Sequence, residues 1–370
     1  MSKQEKASTI QRDLRFDVLK TIGILCIIFA HVGPENNILF HIRRFDVPMM
    51  VIVSGTLYFY TSGQKKVSFW KYLQKRLPRL IAPVWVFLIF FFVSAAAIFA
   101  CLSQPYPFSK EQIFETFLLS KGIGYVWIIR VFTLMAVFAI LIKNIYGWCQ
   151  SELRFLAFIS VSYLGYEILL NKIHRFNLHN ELFQSLVNDY LFYLIPYGCL
   201  FGLGMALPNI RQKVMLLISG FFFIIFLLCA IYYSYHAGYF VSNVEFKSPP
   251  RIYYISYGIF MSLLCFFTVD KLTKKYNLSS QENLYIELIT FISSSSLWIY
   301  LWHIFFLYYW QKLIIIHLPD FSTRFIIDFF VVVIGSISVT YLQKKLIFKL
   351  INNTKFGQNN SKWLDILFLK

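Results

Sequence analysis

Charge is what this sequence has least of. Only 14% of its 370 residues are Asp, Glu, Lys or Arg, against about 25% in a soluble domain. Acidic residues are the scarcer kind, 18 against 35 Lys plus Arg, which leaves a formal net charge of +17. So few charges cannot cover a chain that is 58% hydrophobic, so an ordinary cytosolic enzyme is excluded. The same hydrophobicity, with 20% aromatic residues, excludes a disordered chain. Cysteine is sparse and scattered: Cys26, Cys101, Cys149, Cys199, Cys229 and Cys265 form no CxxC pair or metal-ligand spacing. A secreted disulfide scaffold is thereby excluded, and no metal centre is expected. Internal repeats, low-complexity tracts and long linkers are missing too, so residues 1–370 read as one domain.

What is present is a succession of long apolar runs, with a mean hydropathy of +0.60. Runs at 80–102, 214–235 and 325–342 are close to the roughly 20 residues that a helix needs to cross the hydrocarbon core. Less uniform runs lie at 18–33, 46–60, 123–142, 155–170, 186–207, 252–269 and 285–310, the 46–60 run being the shortest. The expected fold is therefore all-α, a polytopic membrane bundle of about ten helices. With the N-terminus inside, the alternating connections carry 23 basic residues inside and 10 outside, while Lys20 and Arg130 fall within spans. The positive-inside rule then places both the 1–17 segment and the 343–370 tail in the cytoplasm. Residues 1–17 are too charged for a cleavable signal peptide. The +17 excess is thus mostly a topology signal, and nucleic acid is not expected as a partner.

Ionisable groups inside apolar runs are costly and point to function. Asp17 and Lys20 stand three residues apart at the start of the first run, spaced to pair on one helical face. His31 lies 11 residues beyond Lys20, about three turns on and on nearly the same stripe. Taken alone, Lys20 reads as a snorkelling helix-end lysine and His31 as a histidine at the headgroups. Lys75, Arg76 and Arg79 precede the third run, and two guanidiniums one turn apart can clamp a phosphate. Their bland alternative is a cationic anchor on anionic lipid. Further candidates are Ser54 before Gly55 in the second run, Trp127 and Arg130 opening the fourth, and Tyr300 with His303 in the ninth. Glu167 and Asp328 read as buried partners or span-end residues, and His41, His174, His179, His236 and His317 as solvated.

Four stretches together resemble the acyltransferase-3 family of membrane acyltransferases, the group containing bacterial polysaccharide O-acetylases. Lys20 and His31, with ten residues between them, are similar to the family's basic residue and histidine. Phe45-Asp46-Val47-Pro48 through Ser54-Gly55 resembles its F-x-V-P-x-F-F-x-x-S-G pattern, with Met49-Met50 replacing aromatics. Arg76-Leu77-Pro78-Arg79 resembles its R-x-x-R loop, and Ser296 through Tyr300 and His303 its S-x-x-I-Y-x-x-H signature. Lys20 stands where the family often has arginine, keeping the charge and losing the planar fork.

The resemblance implies acetyl-CoA as a cytoplasmic donor and a carbohydrate hydroxyl as acceptor, on a cell-surface glycan or its lipid-linked precursor. It further implies a multi-pass protein of the bacterial cell membrane, surrounded by lipid, with homo-oligomerisation left open. Arg76, Arg79 and Lys75 would hold the phosphates of coenzyme A, and Lys20 and Asp17 would position the thioester or a phosphate. His31 would act as general base or transient nucleophile, with Tyr300 and His303 as a second acid or as walls of the acceptor pocket. Ser54, Trp127 and Arg130 would support these groups, and Arg43 and Arg44 would face the acceptor side. The chain corresponds to the minimal membrane form, without the soluble esterase-like domain that many relatives carry. The rival class is a transporter or flippase of sugars or lipid-linked sugars, which would show repeated halves with charges at the midplane; none are evident.

Overall fold

Asp13 starts the first helix: its carboxylate accepts the Arg15 backbone N–H at 3.0 Å, satisfying one of the donors a helix N-terminus leaves free. From there the computed structural model is helical throughout, with no strand among the residues it describes, which are 12–33, 37–63, 68–173, 187–276, 283–314 and 324–369. The main helices are α1 (Leu14–Val32), α2 (Asp46–Tyr58), α3 (Phe69–Cys101), α4 (Trp127–Cys149), α5 (Glu152–Ile173) and α6 (Phe192–Ala206). They continue as α7 (Gln212–Ala237), α8 (Ile252–Lys275), α9 (Leu284–Ser294), α10 (Ser296–Tyr309) and α11 (Arg324–Asn353). His174, His179, His317 and residues 1–11 lie outside the described residues.

Among the described residues, seven helices are long and apolar enough to cross a membrane, or eight if the bent pair α9–α10 counts as one span. This count and the ten runs expected from the sequence differ at α1, α2 and the 285–310 run. In α1, Arg15, Asp17 and Lys20 interrupt the apolar run, and α2 has only 13 residues. Both elements are largely buried in the bundle: α1 packs against α2, α8, α9, α10 and α11. The 285–310 run, expected as one span, is broken at Ser295, where α9 and α10 meet at 79°. At the chain's end, α11 runs on to Asn353, past the expected limit of 342. Residues beyond it dock on the bundle, with Trp298 donating to the Leu367 carbonyl at 2.9 Å.

Lipid offers no hydrophobic gain for bringing helices together, so association depends on close packing and interhelical hydrogen bonds. The α2–α6 crossing uses both. A Cβ placed on Gly55 would overlap the Phe201 carbonyl, and one on Gly204 would overlap the Ile52 carbonyl. The Thr56 hydroxyl donates across this contact to the Gly204 carbonyl at 2.8 Å. By contrast α7 is apolar all round and buries only Ser219, which donates to the Phe260 carbonyl at 3.1 Å. That is the pattern of a helix facing lipid.

Candidate functional site

The functional groups gather along α1, at its two ends. At the first end the break between α9 and α10 leaves the last carbonyls of α9 without intrahelical partners. Lys20 takes up one of these, the Ser293 carbonyl, and two other side chains of the α1 segment add bonds to carbonyls in the turn before it. Lys20 donates to the Ser293 carbonyl at 2.7 Å, Thr21 to Ile289 at 3.2 Å and Arg12 to Thr290 at 3.0 Å. Asp17, expected to pair with Lys20, instead accepts two bonds from Arg12, at 2.7 and 2.9 Å. It accepts a third from the Ser293 hydroxyl at 2.6 Å. Ser293 therefore holds Asp17 by its side chain and Lys20 by its backbone, which the i,i+3 spacing within α1 could not reveal.

Lys20 also lines a cavity of about 480 Å³, together with Ser54, Lys75, Arg76 and Arg79. Tyr58, Tyr72, Thr61 and the apolar side chains of Phe132, Met135 and Phe201 complete much of its wall. Four cations and no carboxylate face this space, an electrostatic trap for an anion. The structure corrects the setting of the R-x-x-R motif. Arg76 and Arg79 lie not on a loop but within the continuous helix α3, which runs through both Pro78 and Pro83. Pro78 constrains no turn there; i,i+3 spacing on one helix puts the two arginines on a common face. The Arg79 Nε is buried and has no hydrogen-bond partner among the described residues.

About 16 Å along α1 from Lys20, at the 1.5 Å rise of an α-helix, His31 sits in the last turn. There it meets His303 of α10, with Nδ1 of His31 and Nε2 of His303 at 3.1 Å and the rings stacked at 5.1 Å. His303 is completely buried. Its Nδ1 is hydrogen-bonded to the Tyr300 carbonyl, which can only accept. With both rings neutral, this bond assigns the tautomers in turn. His303 carries its proton on Nδ1 and accepts at Nε2; His31 donates from Nδ1 and keeps a lone pair on Nε2. The Tyr300 hydroxyl, expected as a second acid or as a wall of the acceptor pocket, donates to the Tyr125 carbonyl. That bond fixes Tyr125, whose ring meets His31 edge-on at 5.0 Å.

Beside this pair stand groups of the 239–251 connection. The Lys247 ammonium lies over the Trp127 ring, 4.8 Å from its centre, a cation–π contact. Lys247 makes no ion pair with any described residue, and burial pushes its ammonium below the ordinary lysine value, with Asp46 opposing the shift. Arg43 is buried and paired with Asp46 at 3.0 Å, and Arg44 donates to Asn243 at 2.9 Å and to Ser242. Arg130 does not line the cationic cavity around Lys20. It donates to the Ser120 carbonyl at 3.2 Å, approaches Asp189 at 3.9 Å and stacks on Tyr193 at 5.1 Å. These contacts tie α4 to the segment before α6. Glu167, half-buried, accepts the first backbone N–H of α8, from Ile252 at 2.6 Å, and the buried Asp328 accepts from Trp310 at 2.7 Å, so both are partnered.

Sequence reasoning missed Ser293, Arg12, Tyr125 and Lys247. Only the first had a signal: four consecutive serines, Ser293 to Ser296, inside an apolar run. The others contribute through contacts between elements far apart in the chain.

Charged cavity, imidazole pair and membrane-length helices together define a multi-pass membrane enzyme. Comparison with known proteins supplies its chemistry. The profile of the acyltransferase-3 family, described as an acyltransferase domain, matches residues 13–342. The chain belongs to this family and is a membrane acyltransferase. No curated protein and no solved structure matches it significantly.

Proposed function

We propose that this acyltransferase moves an acetyl group from cytoplasmic acetyl-CoA to a hydroxyl of a carbohydrate acceptor, a cell-surface glycan or its lipid-linked precursor. The observation that carries this reading is the joining, by one helix, of a carboxylate-free cationic cavity to an imidazole with an available lone pair. Arg76, Arg79 and Lys75 would hold the donor's phosphates through charge-assisted bonds, and Lys20 would face the same anion. The span of about 16 Å from Lys20 to His31 suits an extended pantetheine arm, which would bring the thioester to the histidines. The acceptor would enter beside Trp127 and Lys247, an aromatic face and a cation suited to a polar sugar ring.

In the transfer, Nε2 of His31 takes the proton of the acceptor hydroxyl as that oxygen attacks the thioester carbonyl. The C–O bond forms, the C–S bond breaks, and the proton passes from the imidazolium to the departing thiolate. His303 holds the His31 ring by accepting its Nδ1–H and polarises toward it as positive charge develops. The same lone pair also permits a covalent acetyl-histidine route, in which the acceptor attacks the acetylated ring.

The experiment is transfer of labelled acetyl from acetyl-CoA to acceptor glycan by the full-length protein in lipid nanodiscs. His31→Ala is expected to abolish transfer with expression intact, and near wild-type turnover would overturn the assignment. Arg76→Glu is expected to weaken acetyl-CoA binding; unchanged affinity would make Arg76 a lipid anchor. Movement of an unmodified sugar across the bilayer, without acetyl transfer, would favour a transporter instead.

A further inference from the structure

A second cavity, of about 610 Å³, adjoins the first and shares Lys20, Leu57 and Thr61 with it. The charge is distributed unequally between them. In the second compartment all cations but the shared Lys20 are matched by acids: Arg12 pairs with Asp17 at 2.7 Å, and Arg15 with Asp13 at 2.6 Å and also with Asp270. A phosphate gains little from such a balanced lining, whereas the first compartment has four cations and no acid. What the second offers is the ring of Tyr60, 40% exposed, backed by the buried ring of Phe16 at 5.9 Å. A supported aromatic face beside carboxylate acceptors suits a neutral, flat heterocycle that carries amino donors.

On the acyl-CoA reading above, we propose that the second compartment takes the nucleoside end of the donor. The purine stacks on Tyr60, and the phosphates stay with Lys75, Arg76 and Arg79. The two cavities then divide one ligand by chemistry: base in the balanced compartment, phosphates in the cationic one, arm leading on toward His31. Lys20 stands at the junction of the two.

The test compares acetyl-CoA with acetyl-4′-phosphopantetheine, which keeps the thioester, the arm and one phosphate but lacks the nucleotide, on the full-length protein in nanodiscs. Tyr60→Ala is expected to raise KM for acetyl-CoA by roughly tenfold with kcat unchanged. KM for the truncated donor should not move, and Tyr60→Phe should restore the wild-type value. If Tyr60→Ala does not reach the membrane, Tyr60→Leu, which keeps bulk but has no π face, replaces it with the same expectation. An equal rise for both donors, or none for either, overturns the proposal while leaving the donor reading in place. Failure of acetyl-CoA itself to support transfer removes the donor reading and the proposal with it. Arg76→Glu tells the cases apart, because it should raise KM for both donors.

Discussion

His303 offers the sharpest test of how the site works, because its contribution passes entirely through one hydrogen bond. Its Nε2 receives the Nδ1–H of His31 at 3.1 Å, and its own Nδ1 is committed to the Tyr300 carbonyl. Removing the ring leaves a buried N–H on His31 without a partner. That loss costs about 1–3 kcal/mol, or roughly five- to hundredfold in kcat if it is felt at the transition state. Side-chain geometry refines the expectation. A glutamine at 303 can bring its carbonyl oxygen near the place of Nε2 and accept from His31, whereas an asparagine reaches only as far as Nδ1. His303→Gln should therefore keep more activity than His303→Ala or His303→Asn. KM for acetyl-CoA should stay unchanged in all three, because the cationic cavity lies about 16 Å away along α1. Acetyl transfer at saturating donor, normalised to folded protein in nanodiscs, is the assay. A His303→Ala enzyme within twofold of wild type, or one altered only in KM, would refute the relay.

Three further outcomes are expected. Gly204→Ala should destabilise the fold by about 1–3 kcal/mol or more, since the added methyl meets the Ile52 carbonyl, a backbone atom that cannot turn aside; an unchanged thermal midpoint would contradict the crossing described. Ser293→Ala removes a buried hydroxyl bonded to Asp17 at 2.6 Å and should cost about 1–3 kcal/mol in thermal stability, with equal melting as the contrary result. Lys247→Met should raise the thermal midpoint at neutral pH and lower acceptor use. Burial holds the Lys247 pKa below its ordinary value of 10.5, so the unfolded chain binds the extra proton and wild-type stability rises as pH climbs toward 10.5. The advantage of Lys247→Met should shrink over that range; an advantage independent of pH would show that the ammonium is not the cause.

The membrane character and the helical class were legible from composition and run length alone, because a backbone in hydrocarbon must satisfy its polar groups within its own segment. The number of spans was less legible. Hydropathy marks α1 and α2 as runs like the others, yet charges interrupt the first, the second has only 13 residues, and both are packed among the longer helices. The break at Ser295 was hidden for a related reason. A run of serines lowers hydropathy only slightly, while the carbonyls near the bend bond to Arg12, Lys20 and Thr21, which lie far away in the chain.

For the site the division is similar. Arg76 and Arg79 share a helix, so their common face follows from local spacing, as does the stripe from Lys20 to His31. Residue chemistry, spacing within a helix and the one-sided distribution of basic residues are local properties, and they sufficed to mark a membrane protein with a cationic cluster and a histidine in line. The partners of those residues were decided by packing. Asp17 turned from Lys20 to Arg12 and Ser293, and His31 met a ring 272 positions away. Hydrogen bonds of that kind need atoms about 3 Å apart in fixed directions. Only the way helices cross, set here by glycines that let backbones touch, brings distant stretches of chain within that range.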